Sequence, residues 1–344
     1  MFKRFLLLFM VLALVFSFAA CSSSETENAD GSESVSASAD GNTSKDASDA
    51  ADESGSATES ASTPVLYKVT DADGDVLWLF GSIHVGRESF YPLPDYVMDA
   101  FEGADSLAVE FNLVAFEQDM TAQIEAMTPL VYADGTTIED HISAELYDSA
   151  KAVLTDLGVY SSMLDYYCPM IWSNTIQTTV YAQLGFDTTT GVDRYMIGLA
   201  DEQGKEIVDI ESAKMQYQMM ANFSDGVHSM LLESSVKSME DLGAVESSLM
   251  QMLEAWEKGD EEALAKLLSS ETDSLTEEQK VLYEEYNKAL ITDRNQGMLE
   301  FATDALDSDK EVFVCVGAAH ILGEGGLADL LAQLGYTVEI VPSK

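Results

Sequence analysis

Two apolar runs carry the clearest strand pattern in the chain, Val76-Leu77-Trp78-Leu79-Phe80 and Val312-Phe313-Val314-Cys315-Val316, and each runs straight into a glycine. Short runs of β-branched and aromatic residues bounded by turn residues predict buried strands. Leu66 to Thr70 reads as another strand, joined to the first run through Asp71-Ala72-Asp73-Gly74-Asp75, whose Asp-Gly step predicts a hairpin. Pro94 to Phe101 has helical spacing, and Ser106 to Phe111 reads as a strand that carries Glu110 at its end. Strand, turn, helix, strand is the order of a parallel α/β unit.

The middle of the chain has helical apolar spacing over Ser143 to Leu157, Ser161 to Leu184, Asp193 to Glu202, Ala213 to Met220, Leu231 to Glu257, Glu261 to Leu268 and Glu277 to Asp307. One short strand, Glu206 to Ile210, interrupts it and runs into Glu211. After the second apolar run come a helix over Gly326 to Leu334 and a last strand over Thr337 to Val341. The predicted class is α/β: a mixed central sheet from two similar strand-Gly-x-x-His-helix halves, with a large, mostly helical insertion over about residues 114 to 306.

The N-terminus follows a different pattern. Lys3 and Arg4 precede an unbroken apolar stretch from Phe5 to Phe18, and Ala19-Ala20-Cys21 closes it. This run is short for a membrane span and ends in small residues, so residues 1–20 read as a signal peptide and Cys21 as a lipidated mature N-terminus. An uncleaved anchor is the competing reading, and either one places the body outside the cytoplasm, attached to the cell membrane. Residues 22–63 contain no aromatic residue and abound in Ser, Ala, Asp and Glu. That composition predicts a disordered acidic tether. Residues 64–344 are then the folded domain.

The formal charge of -44 lies mostly on that domain, because the tether holds only ten acids and one lysine. Such a surface makes nucleic acid and anionic headgroups poor partners. Solubility is the ordinary reason for so acidic a surface. Cys168 and Cys315 are the only cysteines in the domain, and Cys315 lies inside an apolar run, so no bridge is expected.

The two apolar runs lead into Gly81-Ser82-Ile83-His84 and Gly317-Ala318-Ala319-His320, which match in residue class over ten positions and look like a duplication. Glycine allows a sharp exit from the sheet, so each histidine leans over the carboxyl ends of the strands, where open α/β sheets bind ligands. Two such histidines from neighbouring strands converge there, with Glu110 between them. Two imidazoles and a carboxylate suit a divalent metal with an open position, or a metal-free acid/base set. His141 and His228 have no such turn and read as structural. Asp193 and Glu211 each stand at a helix start, where capping is an equal alternative to a site role. Arg294, on a long charged helix, reads without further information as a surface ion-pair partner. Met215, Met219 and Met220 read as core or groove lining rather than a cofactor box.

Taken in order, Gly-Ser-Ile-His-Val-Gly, Ala108-Val109-Glu110, Gly191-Val192-Asp193, Ile210-Glu211-Ser212 with Gln216, Asp293-Arg294-Asn295 and Val316-Gly317-Ala318-Ala319-His320 resemble the TraB/PrgY/GumN family, over Leu66 to Val341. That family is similar to the Tiki metal-dependent proteases and more distantly to erythromycin esterase and ChaN-like haem-binding proteins. The resemblance implies a metallohydrolase, most simply a peptidase acting on a peptide or protein. It implies His84, Glu110 and His320 as ligands of a divalent metal such as Mn, Co or Zn. Arg294 would steady an oxyanion or a substrate carboxylate, with Arg87 as its rival, and Glu211 would be a further ligand or the general base. Sequestration of a peptide pheromone without turnover, and haem capture, are the alternatives that the same resemblance brings.

Overall fold

The computed structural model describes residues 62–268 and 275–342. The expected signal peptide and lipidated Cys21 lie outside the described residues, as does the tether up to residue 61. Among the described residues no helix is long and apolar enough to cross a membrane.

One six-stranded sheet organises the fold. Its strands are β1 (Leu66–Thr70), β2 (Val76–Ser82), β3 (Ser106–Val109), β4 (Glu206–Asp209), β5 (Val312–Gly317) and β6 (Thr337–Ile340), arranged β4-β3-β5-β2-β1-β6. β4, β3, β5 and β2 run parallel, whereas β1 is antiparallel to both β2 and β6. The strand content follows from position: every residue of central β5 and β3 is buried, as parallel strands covered on both faces require. Edge strands β4 and β6 are half-buried or exposed along their length.

The predicted hairpin forms, with Leu66 opposite Phe80 and Thr70 opposite Val76. Its turn is held by Asp71, whose Oδ1 accepts from the backbone N–H groups of Asp73, Gly74 and Asp75 at 2.7–2.9 Å. Gly74 sits at φ +97, which a side chain would strain.

The sheet order corrects one expectation. β5 lies between β3 and β2, so Glu110 does not stand between the two Gly-x-x-His turns; it flanks the second turn on the side away from the first. Several helix boundaries also differ. The span 161–184 is broken at Cys168-Pro169, because proline starts a new helix, Pro169–Gln183, more readily than it continues one. Residues 231–257 form parts of two helices, Asp225–Ser238 and Leu242–Glu257, each with an oxygen side chain at its N-cap, Ser224 and Asp241. Helices Leu113–Gln118 and Met120–Met127 were not predicted, although Asn112 and Asp119 cap them by the same chemistry. The stretch 277–306 is two helices joined by a π-helical turn over Lys288–Thr292.

Candidate functional site

The carboxyl ends of β2, β3, β4 and β5 meet at one edge of the sheet. β2 and β5 are paired so that Gly81 faces Val316 and Ser82 faces Gly317. The two turns therefore leave the sheet side by side. Neither Gly81 nor Gly317 has a positive φ. At Gly81 the need is for close approach: a Cβ there would lie 3.0 Å from both Cα and Cβ of Ala318, so this glycine lets the second turn pack on the first. The Gly81 carbonyl also accepts from Trp256 Nε1 at 2.8 Å.

His84 stands on a loop that is closed against residues 190–193. The Ile83 carbonyl accepts from the Val192 N–H at 2.9 Å, and a Cβ on Gly191 would lie 2.7 Å from the His84 carbonyl oxygen. This contact brings Asp193, in the first turn of helix Val192–Gln203, to His84, with Nδ1 and Oδ2 2.7 Å apart. Burial opposes a charge on His84, but Asp193 and then Glu110 outweigh it and raise its pKa to about 9. Asp193 is thus not simply a helix-cap residue, since Gly191 occupies the N-cap position.

His320 sits on a single helical turn, Ala318–Ile321, and is 1% exposed. Its Nδ1 lies 2.7 Å from Asn295 Oδ1. The Asn295 amide nitrogen donates to the Gly325 carbonyl at 2.9 Å, so its oxygen accepts and His320 Nδ1 carries the proton. Burial and the Arg294 guanidinium lower the His320 pKa to about 3. It is neutral near pH 7, with Nε2 as a lone pair 3.8 Å from Glu110 Oε1.

The β3–β4 ladder continues past both strands, the Glu211 N–H donating to the Glu110 carbonyl at 2.8 Å, and so brings the two acids together. Arg294 binds both: Nη2 contacts Glu110 Oε2 at 2.5 Å and Glu211 Oε2 at 2.7 Å, while Nε donates to Glu211 Oε1 at 2.9 Å. Gln216 Nε2 donates to the same two carboxylates, at 3.0 and 2.8 Å. The Gly317 N–H donates to Glu110 Oε1 at 2.9 Å. Burial alone would raise the Glu110 pKa, yet Arg294, the histidines and that N–H hold it well below the ordinary carboxylate range. Glu211 does not cap a helix; Ser212 does. Arg294 is not a surface residue either, being 5% exposed directly after the π-helical turn.

Arg87 stands apart from this group. Its guanidinium donates to Met250 Sδ at 2.9 Å and lies 3.9 Å from Glu257. Of the two arginines, the structure brings only Arg294 to the carboxylates. His228 bonds the Met220 carbonyl at 3.0 Å and His141 stacks on Tyr132, both outside the group. Cys168 and Cys315 are buried and free, and burial pushes the Cys315 thiol well above its ordinary pKa. Met220 is core, whereas Met215 is 40% exposed.

A pocket opens over this arrangement, enclosing about 480 Å³ with its mouth, and Ser82, His84, Glu110, Asp193, Gln216 and Cys315 are in its walls. Among the described residues no three His, Cys, Asp or Glu side chains stand as an assembled metal centre. The donors nevertheless fit a divalent cation. Each histidine has Nδ1 oriented by a partner, as ligating imidazoles do; His320 is already in the neutral, ligating form, whereas His84, its pKa raised to about 9, would ligate only on giving up its Nε2 proton.

This is an α/β sheet-edge site with two histidines and a buried Glu-Arg-Glu cluster. Residues 65–340 match the TraB/PrgY/gumN family, and the chain belongs to that family. It is similar to the uncharacterized protein YbaP of Escherichia coli (strain K12), 23% identical over 256 residues that span 74% of this chain and 86% of that protein. The uncharacterized protein YbaP of Shigella flexneri matches to the same extent. No solved structure matches.

Asp193, Asn295 and Gln216 complete the group, and only Asp193 was weighed for a role from sequence. Asn295 and Gln216 have no local sequence signal beyond their places beside Arg294 and after Glu211 in the ordered motifs; the structure shows them 1% and 0% exposed.

Proposed function

We propose that this chain is a membrane-anchored, extracytoplasmic metallohydrolase that cleaves peptides, with His84, His320 and Glu110 holding the metal. The observation that carries the reading is the pair of histidines that follow adjacent strands, each with Nδ1 anchored by a side chain, beside a carboxylate held ionised in a pocket wall. A divalent metal bound there supplies an activated water and a Lewis acid for the scissile carbonyl.

The protein groups divide the remaining work. Asp193 and Asn295 hold the two rings in orientation. Arg294 is committed to Glu110, Glu211 and the Leu290 carbonyl, so its role is to keep Glu110 ionised and both carboxylates placed rather than to meet an oxyanion. Glu211, bonded to Arg294 and Gln216, supports Glu110 from behind. Anchoring through Cys21 rests on the leader pattern and would keep the domain on a tether from the membrane.

The test combines metal analysis with peptide cleavage. Purified protein is expected to bind about one divalent ion, and His84→Ala and His320→Ala to lose both metal and cleavage. Wild-type protein with no metal and no cleavage, or variants unchanged in both, would remove the proposal. Metal-loaded protein that returns peptides intact would instead mark a sequestering protein. A Soret band on haem addition that vanishes in the histidine variants would mark haem capture.

A further inference from the structure

Five buried side-chain polar atoms lack a hydrogen-bond partner among the described residues, and two of them, Ser82 Oγ and Gln216 Oε1, belong to residues in the wall of the same pocket. Unpaired buried groups are rare in folded proteins, and two at one pocket call for an occupant. The Gln216 amide cannot be reversed. Its Nε2 faces Glu110 Oε2 and Glu211 Oε2, oxygens that already accept from Arg294 Nη2. Oε1 is therefore an acceptor waiting for an N–H. Among the other wall residues Val109, Leu113 and Ile197 have no side-chain donor, and those that have one, His84, Tyr217 and Cys315, do not bond Gln216 Oε1. Ser82 Oγ differs, because a hydroxyl both donates and accepts.

One acceptor and one hydroxyl complement the N–H and C=O of a polypeptide main chain. Phe111 is in the wall of this pocket and also of a second, wider groove of about 690 Å³ lined by Phe116, Asp119 and Ala122.

Resting on the reading of this site as one that takes peptides, we propose that Gln216 Oε1 accepts a main-chain N–H of the bound peptide while Ser82 Oγ donates to a main-chain carbonyl. Gln216 is then a specificity-determining residue that selects secondary amides over esters and N-alkylated amides.

The experiment changes the peptide rather than the protein. A labelled octapeptide library is screened by fluorescence anisotropy against metal-loaded protein, and the tightest member is remade with each main-chain N–H replaced singly by an ester oxygen. One position is expected to weaken binding by roughly three- to tenfold, the worth of a neutral hydrogen bond. In Gln216→Met that position should cost nothing further, whereas Ser82→Ala should retain its sensitivity. If Gln216→Met does not fold by circular dichroism, Gln216→Asn, with the amide on a shorter stem, takes its place. Equal binding of every ester analogue, an unchanged penalty in the Gln216 variant, or no binding by any library member would overturn the proposal. Discrimination in binding with no cleaved product would leave it standing and remove only the hydrolase reading.

Discussion

The two Gly-x-x-His units are alike in residue class and are built as opposites. After Gly81 the chain stays extended through Ser82 and His84 follows on a loop; after Gly317 it enters a helical turn that carries His320. His84 is oriented by a carboxylate and His320 by an amide. The first is driven toward the cation and the second toward the neutral ring, to about 9 and about 3. A duplicated strand and turn thus set where two imidazoles stand, while unduplicated helices decide what each does with a proton.

Removing the shared cation should have the largest effect on this contrast. Arg294→Met leaves Glu110 and Glu211 buried without their counter-charge, and urea denaturation should show a loss of about 3–5 kcal/mol. The same variant should raise the His320 pKa, since Arg294 is, after burial, the largest of the causes that lower it, and ring-proton NMR would read the change.

Exchanging the orienting groups should come next. Asp193→Asn is expected to cost about 1.5–3 kcal/mol, as the loss of a charge-assisted hydrogen bond, and to bring His84 down from about 9. Asn295→Asp should move His320 upward from about 3, making the two halves alike. NMR titration in which either substitution moves both histidines equally would show that the halves are not separately tuned.

Close approach should matter by about 1–3 kcal/mol: Gly81→Ala sets a methyl against Ala318, whereas Gly198→Ala, in a helix with nothing within 4 Å, should be neutral or stabilising. Thermal melts of the two variants would check this.

The pH profile of the metal-free protein should carry the same contrast. His84 binds its proton more tightly folded than unfolded, so its contribution is complete below the ordinary value of 6.5 and is lost as pH rises toward about 9. His320 binds its proton less tightly when folded, so its contribution is complete above 6.5 and is lost as pH falls toward about 3. Their joint contribution peaks near pH 6.5, and replacing both histidines with Gln should flatten the melting profile on both sides.

Much of this was legible in the chain. The hairpin, both Gly-x-x-His strands and Glu110 at the end of its strand follow from local pattern, because strand burial and turn chemistry act over a few residues. Arg294 was not legible locally, since a lone arginine on a charged helix is ordinarily solvated; its motif brought it forward, and only its contacts show it buried. Asn295 and Gln216 drew no role because an amide within a helix has no local signature of burial. The short helices over Leu113–Gln118 and Met120–Met127 were missed although Asn112 and Asp119 carry the capping signal.

Sequence by itself determined the class of fold, the duplicated turns and the identity of the residues available for chemistry, since period, turn residues and polarity are properties of neighbours in the chain. Tertiary structure alone decided that β5 lies between β2 and β3, that Asp193 reaches His84 across 109 positions and that Arg294 reaches Glu110 across 184. Sheet order and charge pairing depend on which distant segments share a low-dielectric interior, and hydropathy along the chain does not record that.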